Sequence, residues 1–207
     1  MKIPATAPLR RQAEPFDDPD WIYEIKHDGF RALAVIEQGR CRFVSRKHQP
    51  LSGFQAISEA LVQKVKARTA ILDGELVVAD EHGRTVFASM MKRGRHDIRY
   101  FAFDLLWLNG IDLREVPLLR RKAQLKRILP SRSAHVLYVD HTMGDGRWLY
   151  QCACEMDLEG IVAKHKASPY SNRLSRSSWI KIKNPEYSQK EGRHEWFDRL
   201  RKKPRKA

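Results

Sequence analysis

A lysine stands at the mouth of a tight Asp-Gly turn early in this sequence, in the stretch YEIKHDGFRALAVI at residues 23–36. Lys26 precedes Asp28 and Gly29, and Arg31 follows the turn. Strand-forming residues lie on both sides, so the ammonium group would sit where two buried strands meet. A primary amine in such a place can serve as a nucleophile.

A lysine attacks phosphorus only as the neutral amine, and the pKa of an unperturbed lysine is about 10.4. A lysine nucleophile therefore needs neighbouring cations and partial burial. Arg31 could supply one cation. Lys181 and Lys183 are two residues apart in WIKIK, so they project from one strand face and suit a triphosphate if that strand reaches the same cleft. The alternative is an exposed edge strand with protective lysines.

Five further short motifs follow the lysine turn, each on or beside a predicted strand. They are SRK at 45–47, LDGEL at 72–76, FAFDLL at 101–106, EGIVAK at 159–164 and WIKIKN at 179–184. The six motifs in this order resemble those of the covalent nucleotidyltransferases, and within them the ATP-dependent DNA ligases. The ligase domains of bacterial end joining are the most similar. The resemblance extends over residues 15–187, nearly the whole chain.

The resemblance implies a role for several side chains. Lys26 would be the nucleophile that forms a phosphoramide with AMP, and Glu159 would bind Mg²⁺ as a hard oxygen ligand. The other side chains would bind the cofactor: Glu24 the adenine, Arg31 the ribose or a phosphate, Arg46 a ligand or DNA phosphate, Glu75 the ribose hydroxyls, Phe103 the adenine by stacking, and Lys181 and Lys183 the α- and leaving phosphates. ATP and Mg²⁺ are the expected cofactors.

Some of these motif residues have a structural alternative. Phe101 lies on the same strand face as Phe103 and could stack on adenine in its place, and we expect at least one of the two in the core. Asp104 could be only a hydrogen-bond acceptor at its strand, and Asp28 could only set the turn. The spacing around His27 does not make it a metal ligand.

The elements that would position these residues are strands in hairpins, with helices between the groups. Strands are predicted at 21–26, 30–37, 41–45 and 98–108, in the segments EGIVAK and SSWIKIK, and in a hairpin over 70–87 with its turn near 81–83. Helices are predicted at 54–66, 118–129 and 147–156. This pattern predicts an α+β fold with mainly antiparallel sheets and flanking helices, rather than a doubly wound parallel sheet.

Two regions are predicted: an adenylation (nucleotidyltransferase) domain at residues 1–187 and a basic C-terminal helix and tail at 188–207. DNA ligases of the family carry a further OB-fold domain of five strands. Only 24 of the 207 residues follow Lys183, too few for such a barrel. The sequence therefore predicts an adenylation domain lacking the OB-fold domain, which a protein partner could supply.

The charge of the chain favours a polyanionic partner. Lysine and arginine number 39 against 25 acidic residues, which gives a formal net charge of +14. No apolar run approaches the roughly 18 residues of a membrane span, and no secretion signal is apparent. Three cysteines without C-x-x-C spacing argue against a disulfide framework or a zinc ribbon. We expect a cytoplasmic, nucleoid-associated protein that acts on duplex DNA with nicks or ends, and not on a membrane.

The predicted function is that of an ATP-dependent DNA ligase of repair or recombination, in which AMP passes from Lys26 to a 5′-phosphate that the adjacent 3′-hydroxyl then attacks. Two alternatives remain open. An RNA ligase or capping-type nucleotidyltransferase shares the motifs in outline, and a nucleotide panel would distinguish it. A non-catalytic DNA-binding module that needs a partner would fail to form the AMP adduct.

Overall fold

The computed structural model describes residues 2–78, 98–171, 173 and 178–189. The elements are β1 (Arg10–Gln12), β2 (Asp18–Ile25), β3 (Phe30–Glu37), β4 (Arg40–Ser45), β5 (Pro50–Leu51), α1 (Gln55–Lys64), β6 (Ala70–Val78), β7 (Ile98–Leu108), β8 (Ile111–Asp112), α2 (Leu118–Ile128), β9 (Val136–Tyr138), β10 (Thr142–Gly144), α3 (Gly146–Glu155), β11 (Gly160–His165) and β12 (Trp179–Lys183).

Two sheets are built from these strands. The five-stranded sheet has the order β1-β12-β11-β2-β10, and the seven-stranded sheet has the order β5-β4-β3-β6-β7-β8 with β9 paired to β7. Only the β1–β12 and β7–β9 pairs are parallel among the described strands. The predicted α+β fold with mainly antiparallel sheets is therefore confirmed.

The two sheets pack face to face. Successive side chains of a strand point to opposite faces, and the central strands carry apolar side chains on both faces. Ile22 and Trp179 of the five-stranded sheet share one buried cluster with Leu33 and Leu106 of the seven-stranded sheet. The outer face of the seven-stranded sheet packs on α1 and α2, and the outer face of the five-stranded sheet packs on α3. The middle layer of side chains thus lies between two sheets, with helices outside.

The chain crosses from one sheet to the other at the predicted lysine turn. β2 ends at Ile25 in the five-stranded sheet, and β3 begins at Phe30 in the seven-stranded sheet. Gly29 makes this crossing possible, since a Cβ there would lie 2.2 Å from the carbonyl oxygen of Leu76. The sequence between the strands therefore places Lys26 at the junction of the two sheets.

The predicted long strands and all three predicted helices are present, with bounds that agree to within a few residues. The far half of the predicted hairpin over 70–87 lies outside the described residues, as does the predicted basic tail from residue 190 onward. No described helix is long and apolar enough to cross a membrane.

Candidate active site

A cleft of about 440 Å³ opens between the two sheets beside the lysine turn. Five of the side chains predicted from the sequence line it: Glu24, Lys26, Arg31, Glu75 and Phe103. They come from β2, the crossing turn, β3, β6 and β7. The folded chain thus brings together residues from both sheets at one concave surface, the usual setting of a ligand site.

Lys26 lies at the edge of this cleft as the partner of a buried carboxylate. Its Nζ donates to Oε2 of Glu159, and Nζ of Lys183 lies 2.8 Å from Oε1 of the same side chain. Burial opposes ionisation of Glu159, but the two ammonium groups prevail and lower its pKa. Gly160 fixes the approach of this residue, because it has φ +130° and a Cβ there would lie 2.1 Å from the carbonyl oxygen of Ile182.

A second carboxylate, Glu24, closes the inner end of the cleft. It is 2 % exposed, and its two oxygens accept hydrogen bonds from Nζ of Lys122 and, at 2.5 Å, from Nζ of Lys164. Lys122 also donates to the carbonyl oxygen of Val139 at 3.0 Å. Burial opposes the charge of Glu24, yet the two lysines lower its pKa, while burial lowers the pKa of Lys164 to about 8. The inner wall is therefore a buried, charged hydrogen-bond network in which each oxygen of Glu24 has a donor.

Aromatic rings form the apolar part of the lining. Phe103 lies edge-on to Trp179 with ring centroids 5.9 Å apart, and Nζ of Lys164 lies 4.3 Å from the centroid of Phe103. Phe101 instead packs against His27, with centroids 4.2 Å apart and an angle of 33° between the planes. Phe103 lines the cleft, which favours it over Phe101 as the ring that would stack on a base.

Arg31 is held rigidly in the wall. Its Nε and Nη2 donate to the carboxylate of Asp73 at 3.1 and 2.7 Å, and its Nη1 donates to the carbonyl oxygen of Ala7 at 2.7 Å. The hydroxyl of Tyr170 donates to the same carboxylate at 2.7 Å. This network fixes the guanidinium beside Phe103, and its predicted contact with the ribose or a phosphate stays a prediction.

Glu75 differs from Glu24 because burial prevails over the nearby cations and raises its pKa. Burial raises its pKa to about 7, the nearby Glu159 and Asp73 act in the same direction, and the cations Lys26 and Arg31 oppose the change. A carboxyl group poised near neutrality can hold a proton or release it when a hydrogen-bond donor arrives.

The remaining predicted cations lie outside the lining. Burial and the ammonium groups of Lys183 and Lys26 lower the pKa of Lys181, while the carboxylate of Glu159 opposes the change. Arg46 lies in the exposed turn after β4. Its predicted contact with a ligand or DNA phosphate stays a prediction.

Asp104 and Asp28 have structural partners. Nε and Nη2 of Arg121 each donate to Asp104 at 2.8 Å, and both side chains are completely buried. The hydroxyl of Tyr187 lies 3.3 Å from the carboxylate of Asp28. Asp104 therefore joins α2 to β7 rather than facing the cleft, and Asp28 anchors the crossing turn.

The predicted magnesium ligand, Glu159, is a hard oxygen donor beside Lys26. Among the described residues no three His, Cys, Asp or Glu side chains form a metal cluster. Mg²⁺ is commonly bound by one or two carboxylates together with substrate phosphates, so Glu159 alone suits this role, which stays a prediction.

Sequence reasoning did not assign four residues of the cleft and its wall: Lys122, Lys164, Asp73 and Trp179. Asp73, Lys164 and Trp179 lie within the motifs LDGEL, EGIVAK and WIKIKN, so their location was available. Lys122 stands in a basic helix, and only its contact with Glu24 distinguishes it from the neighbouring cations.

Residues 4–183 match the family model of the ATP dependent DNA ligase domain. The chain belongs to this family. The match includes every described residue of the cleft and of the two ion-pair networks around it. The match is consistent with the observed cleft, in which a lysine lies beside an aromatic wall and a charged inner end.

Known members of the DNA ligase family resemble the chain closely. It is 37% identical over 169 residues to the multifunctional non-homologous end joining protein LigD of Pseudomonas aeruginosa, which covers 79% of this chain and 20% of that protein. The SPbeta prophage-derived DNA ligase-like protein LigB of Bacillus subtilis is 30% identical, over 85% of this chain and 66% of its own length. The chain thus spans less than two thirds of these relatives.

A solved ligase structure has the same fold. The structure of mycobacterial DNA ligase D complexed with ATP and MES superposes with a TM-score of 0.71 and 28% identity, covering 86% of this chain and 60% of that one. The resemblance to end-joining ligase domains expected from the motifs is confirmed.

Proposed function

We propose that this domain transfers AMP from ATP to Lys26 and then to the 5′-phosphate at a nick in duplex DNA, as the nucleotidyltransferase part of a DNA ligase. The observation that carries the proposal is the position of Lys26 at the junction of the two sheets, next to a cleft lined by Glu24 and Phe103. The related mycobacterial structure holds ATP, which supports the same substrate here.

The chemistry divides into three displacements at phosphorus. Nζ of Lys26, as the neutral amine, forms a bond to the α-phosphorus while the bond to the bridging oxygen breaks; pyrophosphate leaves and the amine loses a proton. An oxygen of the DNA 5′-phosphate then displaces Lys26 from the AMP. The adjacent 3′-hydroxyl finally attacks the 5′-phosphorus, AMP leaves, and the strand is joined.

The residues of the cleft have distinct tasks in this scheme. Glu24, held ionised by Lys122 and Lys164, accepts a hydrogen bond from the adenine amino group, and Phe103 stacks on the base. Glu75 accepts hydrogen bonds from the ribose hydroxyls. Lys181 and Lys183 bind phosphate oxygens, and Arg31 contacts the ribose or a phosphate.

Glu159 would hold Mg²⁺, and the bound ion would neutralise charge that develops on the phosphates. In the structure Glu159 also contacts the ammonium groups of Lys26 and Lys183. The same carboxylate would therefore both position the lysine and hold the ion.

Intact-mass measurement after incubation with ATP and Mg²⁺ tests the first step. We expect an AMP adduct on a peptide containing Lys26. The adduct should be lost completely in Lys26→Ala, because this variant lacks the amine that attacks ATP in the proposed scheme. Lys166→Ala is the matched control, because that lysine lies on the surface with Asp20 and should retain the adduct. An adduct on another lysine would refute the assignment.

The same assay tests the nucleotide and the later steps. Use of GTP in preference to ATP would instead support a capping-type enzyme, and nicked substrates of DNA and RNA distinguish the two kinds of ligase. Sealing that appears only with added protein would support a partner that supplies the further domain. Because the proposed substrate is duplex DNA, we also propose a cytoplasmic, nucleoid-associated location.

A further inference from the structure

A row of side chains crosses the five-stranded sheet and ends in an arginine outside the six motifs. The strand register places Glu24 beside Val162, Val162 beside Lys181, and Lys181 beside Arg11. Residues directly opposite one another in neighbouring strands project from the same face. Since Glu24 and Val162 line the cleft, Arg11 lies on the cleft face of the sheet.

Two further observations place Arg11 on this side. Leu9, two residues earlier in the extended segment, also lines the cleft. Arg11 adds to the lowering of the pKa of Lys181, after the larger effects of burial, Lys183 and Lys26, while the carboxylate of Glu159 opposes the change. The guanidinium is therefore part of the same positive field as the amines around the nucleophile.

Arg11 and Lys181 differ from the other cations of this field. Lys26 and Lys183 share the carboxylate of Glu159. By contrast, neither Arg11 nor Lys181 has an ion-pair partner among the residues that the structure describes. Two adjacent like charges repel each other, and an anion bound between them would relieve that repulsion.

We propose that Arg11 is a further phosphate-binding residue, which together with Lys181 extends the cleft beyond the motif residues. A guanidinium can contact phosphate oxygens through two N–H groups at once, which an ammonium cannot do in the same fixed geometry. The anion is either the leaving pyrophosphate group of ATP or the 5′-phosphate of nicked DNA. This inference rests on the proposed function for its ligand, but its geometry is independent of the reaction.

The neighbouring Arg10 provides a matched control. It is also exposed and on β1, but it pairs with Ile180, whose side chain packs on the opposite face of the sheet with α3. Arg10→Gln and Arg11→Gln remove the same charge one residue apart. A general effect of net charge would weaken anion binding equally in the two variants, whereas a binding site on the cleft face would not.

The experiment compares the affinities of both variants for two probes, inorganic pyrophosphate and nicked duplexes with a 5′-phosphate or a 5′-hydroxyl. Arg11→Gln should weaken binding of one phosphate probe by about 3- to 10-fold, and Arg10→Gln by less than about twofold. Loss of pyrophosphate affinity assigns the leaving group of ATP. Loss of the preference for a 5′-phosphate assigns the DNA. Arg11→Lys should recover only part of the affinity, since it restores charge without the paired donors.

Equal effects of Arg10→Gln and Arg11→Gln on both probes would overturn the proposal. So would a wild-type protein that binds neither probe. Thermal unfolding of each variant checks that β1 remains folded. If Lys26 forms no AMP adduct in the wild type but Arg11→Gln still selectively loses pyrophosphate, the proposed function fails and the phosphate site remains. If the wild type forms the AMP adduct normally but Arg10→Gln and Arg11→Gln affect both probes equally, the proposed function stands and the phosphate site fails.

Discussion

Lys26, the proposed nucleophile, is paired with the buried carboxylate of Glu159 at the edge of the cleft. Glu159 is 3 % exposed and uses both oxygens for ammonium groups. These cations keep its pKa low despite burial, so it stays charged at neutral pH. Because Lys183 shares the carboxylate, Lys26 can be released toward a phosphate without leaving Glu159 a buried charge with no partner.

The raised pKa of Glu75 predicts that nucleotide binding depends on pH. Burial raises its pKa from its ordinary value of 4.5 to about 7, so the folded protein holds a proton that the unfolded chain releases between these values. Its contribution to stability therefore falls as pH rises through this window. Ribose hydroxyls donate best to the ionised form. We expect the affinity for adenosine to increase from about pH 6 to about pH 8.

Calorimetric titration with adenosine measures this effect without the phosphates of ATP, which titrate in the same range. Glu75→Gln should give an affinity that does not change over the interval, whereas Glu59→Gln, an exposed substitution on α1, should retain the wild-type slope. A pH dependence that persists in Glu75→Gln would show that another group is responsible.

At the scale of the elements, one buried ion pair attaches α2 to the seven-stranded sheet. Arg121 contacts Asp104 of β7 and also donates to the carbonyl oxygen of Ser168 at 3.1 Å, and both charged side chains are inaccessible to solvent. The next residue of the helix is Lys122, which supports Glu24. The position of α2 therefore determines the inner wall of the cleft.

Arg121→Met should lower the free energy of unfolding by about 3–5 kcal/mol, because it leaves the carboxylate of Asp104 buried without its partner. Arg114→Met breaks the exposed pair with Asp112 and should cost about 1 kcal/mol or less. Urea denaturation of both variants measures the difference. If the two variants lost similar amounts of unfolding free energy, burial of the Arg121–Asp104 pair would not explain its contribution to stability.

The longer elements could be predicted from the sequence because their side chains repeat. IRYFAFDLLWL predicts a strand with the bounds that β7 has, and the apolar spacing around Leu61 predicts α1. The short strands β1, β5, β8, β9 and β10 have two or three residues each, too few for a period to be visible. Their existence depends on pairing with strands distant in sequence.

The motifs supplied five of the side chains that line the cleft, but not their connections. Glu24 is 98 residues from Lys122 and 140 residues from Lys164, and no local pattern relates positions so far apart. The choice between Phe101 and Phe103 also required the fold, since both lie on one face of β7 and only the neighbouring Trp179 and His27 distinguish them. The roles themselves stay predictions until the variants are measured.

At the scale of the whole molecule, the formal net charge of +14 predicts strongly salt-dependent binding to DNA. Each phosphate neutralised contributes about −0.9 to the slope of log K against log salt on a duplex. We expect a slope of about −3 or steeper between about 50 and 200 mM salt, which corresponds to three or more phosphate contacts. Sequence preference should be weak. A slope near zero would contradict DNA as the polyanion.

The parallel pairing of β1 with β12 joins the first and last described strands of the chain, and this has a consequence for the order of folding. Most pairs of the seven-stranded sheet, such as β3–β4 and β6–β7, connect strands close in sequence, whereas β2 must await β11 and β1 must await β12. Non-local pairing is slow because loop closure precedes any gain in contacts. Pulse-labelling hydrogen exchange should find β3, β4, β6 and β7 protected before β2, β11 and β12, and simultaneous protection would contradict this order. During synthesis, the lysine of the turn would thus emerge early but acquire its carboxylate partner only after the strand at Gly160–His165 has left the ribosome.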